Sequence, residues 1–268
     1  MNTNTPAMRQ QASIFDILAS DKAAAEMERI AGSAIDVPRF AQISTTTIKA
    51  NWSSLKDCTP FSIFTAVLEA AQLDLDTSPG SGQWYFVPYK STCVGILGYR
   101  GMLRLAYRSG AVAKIDAKLV YAGDDFDFVD GHDGPKWHHR PHWQTGKDKG
   151  AIRFAYAHAT LANGEVIFKV ADQDRIKAAR AASRSGKTWQ AHPGPMTVKT
   201  AVRELWKWLP RDAIESKVAY AVDDDAIRDV DGMTAGRVSS DWARAAFELP
   251  PETLAELEPA AGLEPGPE

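Results

Sequence analysis

The sequence predicts an α+β fold, a small antiparallel β-sheet with packed helices, followed by an acidic C-terminal tail. Three observations predict it. Runs rich in β-branched and aromatic residues flank the short turn Tyr89-Lys90-Ser91, and two more flank Asn163-Gly164, a pair that favours the backbone angles of a tight hairpin. Helix-period apolar patterns with recognisable starts and stops fill other stretches. Strands and helices are segregated instead of alternating one by one, which excludes a parallel sheet built from βαβ units.

Residues 1–58 read as an N-terminal helical segment and an expected subunit contact. Ser13 and Asp21 are candidate N-caps there, and Ile14, Ile17, Leu18, Met27 and Ile30 recur at helical spacing. Thr59-Pro60 opens the next helix, FSIFTAVLEAAQL. A threonine hydroxyl caps a first turn, and the N–H that proline lacks is not needed there. The cluster Pro79-Gly80-Ser81-Gly82 ends it. Residues 84–88 and 92–97 read as strands, and 99–109 as a helix stopped by Gly110. Residues 112–121 and 126–129 are expected strands joined at Gly123-Asp124, followed by a polar loop over 130–150 rich in His, Pro and Trp. A second hairpin covers 152–161 and 166–170. Residues 172–184 and 196–209 read as helices, the latter stopped by Pro210. Beyond residue 231 the pattern fades, apart from a short helix expected over 242–247. The end, PPETLAELEPAAGLEPGPE, has the composition of a disordered segment. The core is thus expected over 59–211 and the acidic segment over 212–268.

Composition narrows the class. Of 268 residues, 44% are apolar and 24% charged, as in an ordinary globular protein. No apolar run approaches the roughly 20 residues of a membrane span, and MNTNTPAMRQQ lacks the pattern of a secretory signal. Cys58 and Cys93, the only cysteines, are too few for a disulfide framework or a cysteine zinc site. A reducing, cytoplasmic setting without membrane contact is expected. The net charge of −3 conceals a division. Residues 1–83 are net −3, residues 84–211 carry 21 Lys/Arg against 11 Asp/Glu for net +10, and residues 212–268 are net −10. A strongly basic core beside an acidic appendage points to a polyanion ligand.

The basic residues are ordered. Arg100, Arg104 and Arg108 stand at i, i+4 and i+8. Each step drifts only about 40° around a helix and rises about 6 Å, giving one stripe with a spacing comparable to that of phosphates along a strand. Lys199, Arg203 and Lys207 repeat the arrangement, and Lys177, Arg180 and Arg184 stand at i, i+3 and i+7. Within 196–209 the only acid is Glu204, and no (i, i+4) pairing explains the stripes as self-stabilising. Three stripes favour a groove that tracks a phosphate backbone, to which Lys114 and Lys118 add charge. Trp84, Tyr85, Tyr89, Tyr99, Tyr107, Trp189, Trp206 and Trp208 lie among these cations. Tyr99 and Tyr107 are the base-stacking candidates.

Other constellations are weaker. His132, His138, His139 and His142 suggest a metal, but the expected loop supplies no regular element to fix them and no cysteine partner. No metal and no catalytic residues are expected. Asp124, Asp125 and Asp127 fall at an expected turn, and Asp223, Asp224 and Asp225 in the acidic tail. Neither set has the converging carboxylates of a two-metal nuclease. Gly186-Lys187-Thr188 ends like a phosphate-binding loop, yet the position of that loop's first glycine is Ala181, and a helix instead of a strand precedes it. An NTP-dependent enzyme is therefore disfavoured. Gly186 reads as a helix stop, and Lys187 as a contact to a nucleic-acid backbone from a basic turn.

Ordered motifs then coincide. Tyr85-x-Val87-Pro88-x-Lys90 precedes Gly98-Tyr99-Arg100-Gly101-Met102-Leu103-Arg104-Leu105-Ala106-Tyr107-Arg108-Ser109-Gly110. Val120-Tyr121, Asp124-Asp125-Phe126, His139-Arg140-Pro141, Met196-x-x-Lys199-Thr200-x-x-Arg203 and Lys207-Trp208-Leu209-Pro210 follow. Across roughly residues 60–210 the set strongly resembles the RecT family of phage single-strand DNA annealing proteins. The resemblance implies a RecT/Redβ-like annealing fold with a basic DNA groove, and ATP-independent annealing and strand exchange in recombination without covalent catalysis or a required cofactor. It implies rings or helical filaments on single-stranded DNA and the annealed duplex intermediate, and a phage exonuclease and host single-strand-binding protein as partners in a bacterial cytoplasm. It assigns DNA contacts to Lys90, Arg100, Arg108, Lys199, Arg203 and Lys207. Arg104, Lys114, Lys118, Arg184 and Lys187 are added by charge and spacing. Val198 and Glu204 depart from the family's basic pattern and weaken the contacts expected of their helix. A single-strand binder or mediator that coats DNA without annealing it is the alternative.

Overall fold

The computed structural model describes residues 13–31, 35–183 and 186–210. They divide into two compact units, one running to Gly98 and the other starting at Tyr99. The expected acidic segment and the expected helix over 242–247 lie outside the described residues.

In the first unit the chain forms α1 (Ile14–Leu18), α2 (Asp21–Ala31), α3 (Val37–Ala50), α4 (Trp52–Leu55), α5 (Pro60–Gln72), β1 (Trp84–Tyr89) and β2 (Thr92–Leu97). Ser13 caps α1 as expected, in a reciprocal capping box with Asp16. Asp21 is instead the first residue of α2, and the Ser20 hydroxyl accepts the Ala23 N–H. Thr59 caps α5, its hydroxyl accepting the Ser62 N–H. The centre of the unit is α5, with Ile63, Phe64, Val67, Leu68, Ala70 and Ala71 all buried. A helix apolar on nearly every side must be surrounded, and α1, α2, β1 and β2 surround it. The Cys93 N–H donates to Ser62 Oγ at 2.8 Å, tying β2 to α5. Strands β1 and β2 pair antiparallel from Trp84↔Leu97 to Tyr89↔Thr92, and Lys90 in the turn has φ 53°.

The second unit contains α6 (Tyr99–Arg108), β3 (Val112–Tyr121), β4 (Asp125–Gly131), β5 (Gly134–Arg140), α7 (His142–Thr145), β6 (Ile152–Leu161), β7 (Val166–Ala171), α8 (Gln173–Ala182), α9 (Gly186–Ala191) and α10 (Pro193–Trp206). The class is α+β, but the one small sheet expected is three antiparallel assemblies: β1–β2, β3–β6–β7 and β4–β5.

Register assigns the two faces of β3–β6–β7. Ala155, Ala157 and Ala159 of β6, with their β7 partners Ala171, Lys169 and Ile167, share one face. The four alanines are fully buried, and small side chains let a helix approach closely. Helix α10 packs there: a side chain on Gly194 would meet Leu119 Cδ1 at 3.1 Å, and Leu119 pairs with Ala155 on that face. The opposite face carries Val120, Phe154, Tyr156, His158 and Phe168. The β4–β5 hairpin covers it through Phe126, Phe128 and Trp137.

Three expectations are corrected. The span 130–150 is not one loop, because β4 extends to Gly131 and residues 134–140 return as β5. Gly186 does not end a helix: α8 ends at Ala182 with Ser183 as its C-cap, and Gly186 opens α9. The later helix begins at Pro193, three residues before Met196.

Candidate nucleic-acid interface

Helix α6 turns its stripe outward. Met102, Leu105 and Ala106 are buried, while Arg100, Arg104 and Arg108 are exposed. Tyr99 and Tyr107 are exposed beside them at 37% and 45%. The Ile115 N–H donates to Tyr107 Oη at 2.9 Å, which fixes that ring against β3 while leaving it accessible. Arg100 Nε donates to Tyr99 Oη at 3.4 Å. Gly110, with φ 69°, takes the left-handed backbone that ends the helix.

On α10, Lys199, Arg203 and Lys207 are half-buried. Glu204 accepts from Arg175 Nε of α8 at 2.5 Å and from Lys207 Nζ at 3.3 Å. Glu204, the only acid expected within this helix, thus offsets part of its stripe through an (i, i+3) pair, and an arginine from another element joins it. Glu204 therefore knits α8 to α10. Lys177 of α8 likewise pairs with Asp174 at 3.4 Å.

Lys114 and Lys118 are exposed on β3, but on the aromatic face of the sheet, opposite α10. Lys118 Nζ lies 3.4 Å from Asp116, which also lies 4.0 Å from His158 Nε2. Burial lowers the His158 pKa, with Asp116 opposing. Lys187 is exposed on α9, and Arg184 lies outside the described residues. Ala181 sits within α8, so a helix precedes Gly186-Lys187-Thr188. Lys90 belongs to the first unit.

Burial sorts the aromatics. Trp84, Trp189 and Trp206 are core residues, whereas Tyr85 is 48% and Trp208 64% exposed. Lys169 Nζ sits over the Trp208 ring, 3.8 Å from its centroid, a contact between β7 and the end of α10 that no sequence spacing announces.

The histidines divide in the same way. Asp124 is buried at the β3–β4 corner. Its carboxylate accepts from the Tyr121 N–H at 2.8 Å, His139 Nε2 at 3.1 Å, the His142 N–H at 2.6 Å and His142 Nδ1 at 2.9 Å. Burial opposes the charge, but these bonds outweigh it and hold the Asp124 pKa at about 2. With Nε2 donating to a carboxylate, a neutral His139 leaves Nδ1 to accept the Tyr156 O–H at 3.1 Å. Regular elements do hold these histidines, contrary to the expected loop. Among the described residues no group of three or more His, Cys, Asp or Glu is placed to hold a metal ion, and no described helix is long and apolar enough to cross a membrane.

The RecT family model matches residues 38–234. The chain belongs to the RecT family. Protein RecT of Escherichia coli (strain K12) is 32% identical over 216 residues, covering 76% of this chain and 78% of that protein. The uncharacterized protein YqaK of Bacillus subtilis (strain 168) is 27% identical over 123 residues, covering 45% of this chain and 42% of YqaK. RecT membership makes this a DNA-binding recombination and annealing protein. The RecT match takes in both basic helices, α6 and α10.

Proposed function

We propose that the protein binds single-stranded DNA without sequence preference and anneals complementary strands, using neither ATP nor another cofactor and forming no covalent intermediate. The observation that carries this reading is the outward α6 stripe, three exposed guanidiniums flanked by the exposed rings of Tyr99 and Tyr107. Cations neutralise the phosphates of one strand and so lower the repulsion that a second strand meets on approach. Complementarity is then tested by base pairing itself, so backbone contacts and stacking suffice on the protein side. Self-assembly into a ring or filament lays one strand across many copies and turns weak sites into avid binding. The proposed DNA-contacting set is Lys90, Arg100, Arg104, Arg108, Arg184, Lys187, Lys199, Arg203 and Lys207, with Lys114 and Lys118, on the sheet face opposite α10, as minor contributors. A 5′-to-3′ exonuclease and the host single-strand-binding protein are the proposed partners in the cytoplasm.

The test measures affinity for an oligonucleotide across a salt series, and annealing of protein-coated complementary strands with no nucleotide present. Joint replacement Arg100→Ala and Arg108→Ala is expected to weaken binding at least tenfold and to flatten the salt dependence by about two phosphates per copy. Unchanged affinity and slope would remove α6 from the interface. Binding without annealing would favour a coating protein, and DNA-stimulated ATP hydrolysis would overturn the cofactor-free mechanism.

A further inference from the structure

Trp208 is the most exposed large aromatic of the second unit after Trp143, yet it is firmly placed. Trp206, two residues before it at 2% exposure, and Leu209, next after it at 5%, are buried anchors. The Trp208 N–H donates to the Leu205 carbonyl at 2.9 Å, continuing the last turn of α10. The indole is thus held out in water by a segment pinned at both ends. Lys169 lies under one ring face, 3.8 Å from the centroid. It reaches that point from β7 across from Ala157, whose small side chain leaves it room. Lys169 lies against the ring and Lys207 precedes it in the chain, while Glu204, one turn earlier in α10, is bonded to both Lys207 and Arg175.

We infer that Trp208, seated on Lys169, is a nucleobase-stacking platform of the DNA interface, and that Lys169 takes a phosphate of the same strand. This rests on the single-strand reading above. An ammonium against one face fixes the indole and leaves the other face for a flat partner. The Lys169 ammonium at the ring favours a partner that also carries negative charge, and an unpaired nucleotide meets both requirements. Every base has a π-face, so the platform adds affinity without reading sequence.

The experiment compares oligo-dT with an abasic oligodeoxynucleotide of equal length, using the full chain. Trp208→Ala is expected to weaken oligo-dT binding about 5- to 100-fold, to leave the salt slope unchanged and to leave abasic binding unchanged. Trp208→Phe should restore most of the loss, and Lys169→Gln should lower the slope by about one phosphate per copy. Equal weakening on both ligands, or weakening on neither, would overturn the platform. If the unaltered protein binds neither ligand, the single-strand reading and the platform fail together. If it binds oligo-dT through Arg100 and Arg108 while Trp208→Ala changes nothing, the platform alone fails.

Discussion

Asp124 shows how much one buried carboxylate can organise. Four N–H donors from Tyr121, His139 and His142 converge on it, and through them the β3–β4 corner holds the end of β5 and the start of α7. Its folded pKa, about 2 against an ordinary 3.8, lies below the unfolded value. The resulting stabilisation is fully present above pH 4 and is lost as pH falls from about 4 towards 2. The shift corresponds to roughly 2 kcal/mol. Asp124→Asn should lower the melting temperature at pH 7, because an amide cannot accept all four donors. The gap from the unaltered protein should narrow in melts below pH 3. A gap independent of pH would mean that the charge is not what matters. The sequence suggests only a strand-to-strand turn at Gly123-Asp124 because that signal is local. The histidines that settle its role stand 15 and 18 residues further on, a distance no turn pattern encodes.

Elements were legible where start, stop and partner were all local. The hairpin β1–β2 is such a case, and its least replaceable residue is Gly95. A Cβ there would stand 2.1 Å from Trp84 Cζ2 and 2.9 Å from Glu69 Oε2, so the indole occupies the space a side chain would need. Gly95→Ala should cost about 1–3 kcal/mol in urea unfolding. Equal stability would show that Trp84 can move aside. Strand β5 was hidden because Gly134, Pro135 and four polar residues break the usual strand composition. Pairing with β4 and packing of Trp137 on Phe168 override that preference. Helix α9 was missed because its six residues start with the glycine that reads as a stop, while Trp189 anchors them in the core.

At the scale of the molecule, spacing revealed which cations share a helix but not which face of a sheet they reach. Lys114 and Lys118 stand on the side opposite α10, and Lys118 is already paired with Asp116. Joint replacement of the two by Gln is therefore expected to cost less than about threefold in single-strand affinity, well under the loss at Arg100 and Arg108. A comparable loss in the same binding assay would mean that DNA reaches both faces. The fold class and the α6 stripe were readable from residue order alone. The Arg175–Glu204–Lys207 link and the Lys169–Trp208 contact were not, since each joins elements remote in the chain. The alanine column of Ala155, Ala157, Ala159 and Ala171 has a consequence of another kind. It works as a gauge block under α10: a methyl or two added there would lift the helix and tilt everything on its far side. The fine adjustment of α10's outward cations is therefore made on the inside, by side chains too small and too deep for any ligand to touch.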